Sequence, residues 1–546
     1  MITALLIVFS SSLPVIASNP EDALSVHSNE SVYAVMKFDD ASGFLKWLMS
    51  SENVDVFMPL VLSSKDSNEI IGVIETIRSF AQNTPLKSIA VLVGVDKAFE
   101  KTKTPFVQAA FTVSPDVLPS FRKIAEGSAE PSDFAKLVLG AGNPFVSIAE
   151  TTIKVEREDG VYKINNEVFL KAQEDLIILG NSPDELKSAS DALDNSDSRL
   201  FSNVKRKLDK KDFIFMHCDY RTLDELDTDH SFDDADAVNV LFDKPLNAEA
   251  AFESLPEKFV ISFASNLKEA FKDEYRAQME ENEKETFPVN GGNIELSDFG
   301  GKDFPLAAFG GYMKLSAIKD VKDTKELWNW SVRQLRARFG ITEEEFADLF
   351  DGSFSISLND NVMFQTFKIP ALYMLFTGRH GATAGKVFAK LEKSPHFQKI
   401  SDGLLQVDSS LSPIPCLIHD RGETLGICFA EPSNVSGNPQ IKPALQELLN
   451  EPSILSIWLD FAGIQSWIND EENGVMMILG PLATIGGMGK EFQAFRDVMS
   501  ADLSVPSMSL RAASVEEFHL EFANKPIKPE DGLFAKLISI YKQFSK

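Results

Sequence analysis

The order of secondary-structure elements most limits what this 546-residue chain can fold into, because one order is written twice. Residues 31–38 read as a strand that feeds an amphipathic stretch at Phe44, Leu45, Trp47 and Leu48. Residues 311–315 likewise lead into a helix through Leu327, Trp330, Leu335 and Phe339. Four more strand-like runs then follow in the same sequence in each part. Residues 89–94 correspond to 354–358, 106–112 to 371–377, 175–180 to 424–429, and 213–220 to 454–461. The offset between matched positions falls steadily, from 277 (Met36 to Met313) to 241 (Asp219 to Asp460), as deletions in a second copy require. Two readings fit: a divergent duplication, or two unrelated α+β domains with similar element order.

Local signals separate strands from helices. Ser114-Pro115-Asp116 and Ser182-Pro183-Asp184 each follow a strand, with Ser at the expected N-cap and Pro at the first helical position. Ser182 with Glu185, and Thr342 with Glu345, have capping-box spacing. Ile70, Ile74 and Ile77 share one helical face, and Leu533, Phe534, Leu537, Ile538 and Tyr541 share another. Short turns between neighbouring strands, as between 160–171 and 175–180, favour antiparallel pairing. The expected fold class is α+β: two similar halves, each a mainly antiparallel sheet with helices packed on one face. Turn-rich residues follow a charged tail at 280–285, so the expected parts are 18–285, a linker at 286–305, and 306–546.

Residues 1–17 are expected to be a signal peptide. An apolar run at 4–9 and small side chains leading to Ala17 fit the pattern, although residues 1–4 carry no Lys or Arg. The protein is therefore expected to be secreted or periplasmic. No cysteine follows to carry a lipid anchor. The longest other apolar run, 475–487, is short and broken by Pro481 and glycines, so a buried core segment is expected rather than a membrane span.

Acidic residues outnumber basic ones 81 to 53, a formal charge of −28. Such a surface repels polyanions, so nucleic acid and anionic headgroups are poor partners, and cations or basic protein patches better ones. Phe (42) far exceeds Tyr (7) and Trp (5), which disfavours sugar binding and leaves room for a Phe-lined cavity. Cys416 and Cys428 flank an expected hairpin. A turn centred on Gly422 would oppose them within disulfide reach, whereas a two-residue turn at Arg421-Gly422 would put them on opposite faces. Cys218 lies in an apolar strand and is expected to be a buried thiol; its neighbour His217 points to the other face, so the two form no dyad.

The motifs for common chemistries fail on their residues. Residues 486–490 resemble a phosphate loop, but Glu491 stands where Ser or Thr is needed and Thr484 where the first Gly belongs. Residues 378–386 fail in the same way, leaving Arg379 and His380 at a helix start as a possible anion contact and a plain strand-to-helix turn as the simpler reading. The acidic run 224–236 lacks the Gly and Glu of a calcium loop, with Phe232 and Val238 in their places. No HExxH or G-x-S-x-G is present. No catalytic, cofactor-binding or metal-ligating residue is assigned, and no cofactor is expected.

A strand of the kind at 31–38 behind a signal peptide, with a later element such as 350–357, resembles the bacterial envelope proteins of unknown function that carry duplicated α+β domains. The likeness covers most of the chain and implies no transferable activity. The expected role is non-catalytic binding or scaffolding at the envelope, with an unknown envelope protein as partner. Alternatives are a carrier of an apolar ligand in a Phe-lined cavity, or a hydrolase with two buried acids about 5–10 Å apart.

Overall fold

A computed structural model describes residues 20–24, 32–40, 86–95, 106–139, 147, 153–165, 168–173, 176–194, 206–208, 210–219, 241–255, 257–277, 280, 301, 305–314, 316, 319, 324–364, 367–412, 414–435, 442–450, 453–470, 493, 496, 499–503 and 505–525. The expected signal peptide at 1–17, the acidic run 224–236, the apolar run 475–487, the residues 486–490, the helices expected around Phe44, Ile74 and Leu537, and all of the expected 286–305 linker but 301 and 305 lie outside the described residues. The chain is an α+β protein built mostly of antiparallel sheet. It divides into two compact units, Met1–Glu253 with Ala264–Lys272, and Ser254–Phe263 with Asp273–Lys546.

In the first unit, strands β1 (Val32–Phe38), β2 (Leu86–Val95) and β3 (Phe106–Val113) pair in sequence order. Strands β4 (Val155–Glu158), β5 (Val161–Ile164), β6 (Val168–Gln173) and β7 (Leu176–Gly180) form a meander that joins the sheet where β7 pairs β3. Beyond β1 come β8 (Asp212–Cys218) and β9 (Leu246–Ser254). The order is β4–β5–β6–β7–β3–β2–β1–β8–β9, with every ladder antiparallel. The tight β4–β5 turn places Asp159 and Gly160 at positive φ (50° and 80°), a conformation that Asp and Gly tolerate best.

Helices cover both faces of this sheet. Helices α1 (Leu118–Glu126) and α2 (Pro131–Leu139) bury Phe121, Ile124, Phe134 and Leu137 against Phe111 and Ile177. Helix α3 (Pro183–Asp194) buries Leu186, Ala189 and Leu193 against Ala110, Leu176 and Ile178 on the other face. The expectation of helices on one face is thus corrected. The reason lies in β3 and β7: their residues are buried almost without interruption (FVQAAFTV and LIILG), and a strand apolar on both sides needs cover on both. Caps set the helix starts. The Glu185 N–H donates to Ser182 Oγ (3.1 Å), but the Glu185 carboxylate accepts from buried Gln108 (2.9 Å). Ser114 makes no side-chain cap, and its hydroxyl bonds Asp116 instead.

The second unit orders its strands as β14–β15–β16–β17–β13–β12–β11–β18–β19–β20. The central strands are β11 (Ala307–Lys314), β12 (Asp351–Phe364) and β13 (Phe367–Gly378). On one side lie β14 (Phe397–Ser401), β15 (Leu404–Val407), β16 (Leu417–Asp420) and β17 (Thr424–Phe429). On the other lie β18 (Leu455–Asp460), β19 (Ser507–Ser514) and β20 (Glu517–Ala523). Strand β10 (Lys258–Ser265) pairs β20, where Lys258 Nζ meets Glu521 (3.0 Å) and Phe263 stacks on Phe518 (4.8 Å between centroids).

Helices α4 (Lys325–Phe339), α5 (Glu343–Phe350) and α6 (Ala382–Glu392) pack on one face, where Leu349, Val387, Phe388 and Leu391 bury against Phe376 and Leu425. Helix α7 (Pro443–Asn450) covers the other face through Leu445, Leu448 and Leu449 against Ala308 and Trp458. Of the four apolar residues that mark helix α4 in the sequence, Leu335 and Phe339 pack against this core. Trp328 points inward, its ring 5.0 Å from Phe346 and its N–H donating to Glu343 (3.1 Å), while Leu327 and Trp330 point out.

The α4–α5 junction is held by a complete capping box, Thr342 with Glu345. The Glu345 carboxylate also takes Lys390 Nζ (2.6 Å). Burial pushes its pKa up, but the bonds from Lys390 and the Thr342 N–H outweigh this and hold it below the usual glutamate value. A depressed folded-state pKa contributes stability above the unfolded pKa, and that stability is lost as pH falls through the folded value. Urea unfolding should therefore show a shallower acid-side loss of stability in Glu345→Gln, which keeps the box but not the charge, than in the wild type. Thr342→Ala should cost about 1 kcal/mol at neutral pH.

Candidate functional site

Among the described residues of the second unit, two grooves stand out. The first is apolar and has a volume of about 520 Å³. Its floor follows from strand register. Gly311 lies opposite both Phe354 and Leu455, Leu455 opposite Ala512, and Ala512 opposite Phe518. Directly opposed residues share a face, so Phe354, Gly311, Leu455, Ala512 and Phe518 form one row across four ladders. The next row is Ile356, Phe309, Ile457, Leu510 and Leu520. Ala512 leaves a trough between the larger side chains of the lining. Gly311 lets Leu455 and Phe354 close over the sheet: a Cβ there would stand 3.0 Å from Ile454 O, 3.3 Å from Leu455 Cδ1 and 3.5 Å from Phe354 Cε1. Phe309 and Phe354 pack at 5.2 Å along one side. Among the described lining residues, Tyr312 and Ser514 are the ones that carry hydroxyls. Phe354 belongs to the core beneath α5 and α6, so the groove continues the helix-covered face.

The second groove is polar and has a volume of about 700 Å³. Buried Asp460 ends β18 and caps helix α8 (Phe461–Asn469), accepting from the Gly463 N–H (2.9 Å) and pairing with Lys442. The Trp467 indole N–H donates to Asn361 (2.7 Å). Asp470 completes the lining and is exposed. Asp460 is thus committed to a cation and a helix start, and its groove partner Asp470 is not a buried acid. Among the described residues of this lining, Asp460 is the one buried carboxylate.

The other sequence candidates fall apart or lie elsewhere. Arg379 and His380 do occupy a strand-to-helix turn between β13 and α6, but their side chains face acids: Arg379 meets Asp351 (3.7 Å) and His380 Nδ1 meets Asp348 (2.6 Å). An anion would have to displace both carboxylates. His217 stacks on Tyr33 (4.8 Å) and bonds Asn247 (2.7 Å), away from any role with Cys218. Among the described residues, no group of three or more His, Cys, Asp or Glu could hold a metal ion. No described helix is long and apolar enough to cross a membrane.

The hairpin register settles the cysteine pairing. Leu417, not Cys416, lies opposite Cys428, and the three cysteines form no disulfide. Burial raises the Cys416 thiol to about 11, and burial with the neighbouring Cys416 raises Cys428 to about 12. Sequence reasoning missed the groove residues. The Phe excess was their one signal, and it gave no position. Comparison with protein-family models, curated proteins and solved structures finds no match.

Because the thiolate is the reactive form, Cys416 and Cys428 should be alkylated by iodoacetamide at pH 8 at least about a hundredfold more slowly in the native protein than in urea. Mass spectrometry of peptides labelled without reductant checks this and should recover all three cysteines as thiols.

Proposed function

We propose that this chain is an exported, non-catalytic binding protein whose second unit takes an apolar small molecule, an acyl chain or a hydrophobic ring system, in the groove over β11, β12, β18, β19 and β20. One observation carries the reading: a trough of about 520 Å³ floored by small residues and walled by Phe309, Phe354, Leu455, Leu510 and Phe518. That volume lies within the roughly 300–1,000 Å³ of small-molecule sites, which combine mostly apolar walls with a few polar groups. The apolar first residues and the high acidic charge suit a protein working outside the cytoplasm.

We also infer that the two units descend from one duplicated ancestor. The order β4–β5–β6–β7–β3–β2–β1–β8–β9 in one is matched by β14–β15–β16–β17–β13–β12–β11–β18–β19 in the other. A helix follows β3 and β13, and another lies between β7 and β8 and between β17 and β18. A buried aspartate, Asp219 or Asp460, ends β8 or β18. Steady drift of the offset fits gradual loss of residues from one copy.

The groove reading is tested with anilinonaphthalene sulfonate and a fluorescent fatty acid. The wild type should bind one equivalent of the fatty acid, competed by the dye. Ala512→Phe, which places a ring in the trough, should weaken binding at least about tenfold, or 1.4 kcal/mol, with unchanged circular dichroism. Equal affinity in the variant would exclude this groove as the site.

A further inference from the structure

Helix α4 presents an unusual outer face. Leu327 and Trp330 are 59 % and 56 % exposed, although its other tryptophan, Trp328, is buried. At 100° per residue, Leu327, Trp330 and Ala337 fall on one stripe, with Gln334 between them. Arg333 borders this stripe on one side and Arg338 on the other, and Arg336 lies beyond Arg333; all three are exposed. The helix carries four basic residues against one acidic, Glu326, in a chain whose formal charge is −28. Exposed Glu326 falls on the Arg333 edge of the stripe, so the net charge of its borders is positive by one. An apolar stripe with Trp and Leu and a basic border is the pattern of a helix that lies in a lipid headgroup layer.

We propose that the outer face of α4 docks the protein on an anionic phospholipid surface, with Leu327 and Trp330 entering the headgroup–acyl boundary and Arg333 and Arg338 meeting lipid phosphates. Overall acidity does not forbid this. Charges separated by more than about 8 Å are screened at physiological salt, so the membrane responds to the residues that touch it. A second copy of this chain fits less well. Around a two-fold axis the same basic patch would face itself. A groove on a folded partner fits less well too, since the last anchor of the i, i+3, i+7 set Leu327, Trp330, Gln334 is polar.

The test is co-sedimentation of the full-length protein with phosphatidylcholine vesicles, with and without phosphatidylglycerol. The wild type should pellet with the anionic vesicles, shift its tryptophan emission to the blue, and release at high salt. Each arginine removed should weaken partition about fivefold, so the Arg333→Glu/Arg338→Glu double variant should lose binding. Trp330→Ala should lower binding and the blue shift, and Trp330→Phe should retain binding. These positions are exposed, and unchanged thermal unfolding would confirm that the variants fold. Equal pelleting of wild type and double variant would overturn the proposal. So would self-association in sedimentation velocity that Trp330→Ala abolishes while no vesicle binding is seen.

Discussion

The double-sided burial of the central strands governs both the helix layers and the grooves. In β3, Ala110 faces α3 while Phe111 faces α1 and α2, and β7 does the same with Ile178 and Ile177. Each fully buried side chain of this kind contributes roughly 1.5–3 kcal/mol, so leaving either face wet would forfeit much of a small domain's net stability. In the second unit the same demand is met by α5 and α6 around Phe376 and by α7 around Trp458. The residue row through Phe354, Gly311, Leu455, Ala512 and Phe518 starts under those helices and runs past them. The apolar groove therefore follows from the layer design: among the described residues, the apolar sheet face extends beyond the helices that cover it.

Buried carboxylates fix the edges of these layers. Glu249 on β9 accepts from the Arg206 guanidinium (2.7 Å) and from the Lys207 and Leu208 backbone N–H groups (3.1 Å each), and that guanidinium lies 3.5 Å over the Phe213 ring. Asp133 takes Ser120, Lys123 and the Glu130 N–H at 3.0–3.2 Å, tying α2 to α1. Asp351 holds the Ser316 N–H (2.8 Å). A charge taken out of water is tolerable only when its lone pairs are met, and here backbone N–H groups of adjoining loops do much of the meeting. These acids act as clamps on chain direction: Glu249 from within β9, Asp133 from the first turn of α2, and Asp351 from the start of β12.

Much of this architecture could be read from residue order. Runs such as 89–94, 106–112 and 424–429 announce strands by their apolar content alone, and Thr342 with Glu345 announces a helix start. Features set by partners distant in sequence could not be read in this way. The face of α4 is an example: Leu327 and Trp330 look like core residues by type, but Trp328 wins the inward position because Phe346 and Glu343 on α5 receive its ring and its N–H. The cysteine hairpin turns on one residue of register, and composition carries no information at that resolution. The groove needs five strands from three separated stretches of chain in one register, so its residues had no shared local signature. Likewise nothing in the pattern of Lys258–Ser265 shows that most of it is counted with the later unit, where it pairs β20.

The two grooves differ in what holds their walls, and this bears on which can act as a preformed site. The polar groove depends on side-chain commitments: Lys442 to Asp460, Asp460 to the start of α8, and Trp467 to Asn361. A ligand there must compete with bonds the protein already makes, and each displaced bond subtracts from its affinity. The apolar groove makes no such demand. Its floor is backbone in regular ladders, and its walls are rings and branched chains with few polar atoms to satisfy. On the proposed reading a ligand there gains burial against Phe and Leu side chains, and selection comes from shape, set chiefly at Ala512, where the row carries little side chain.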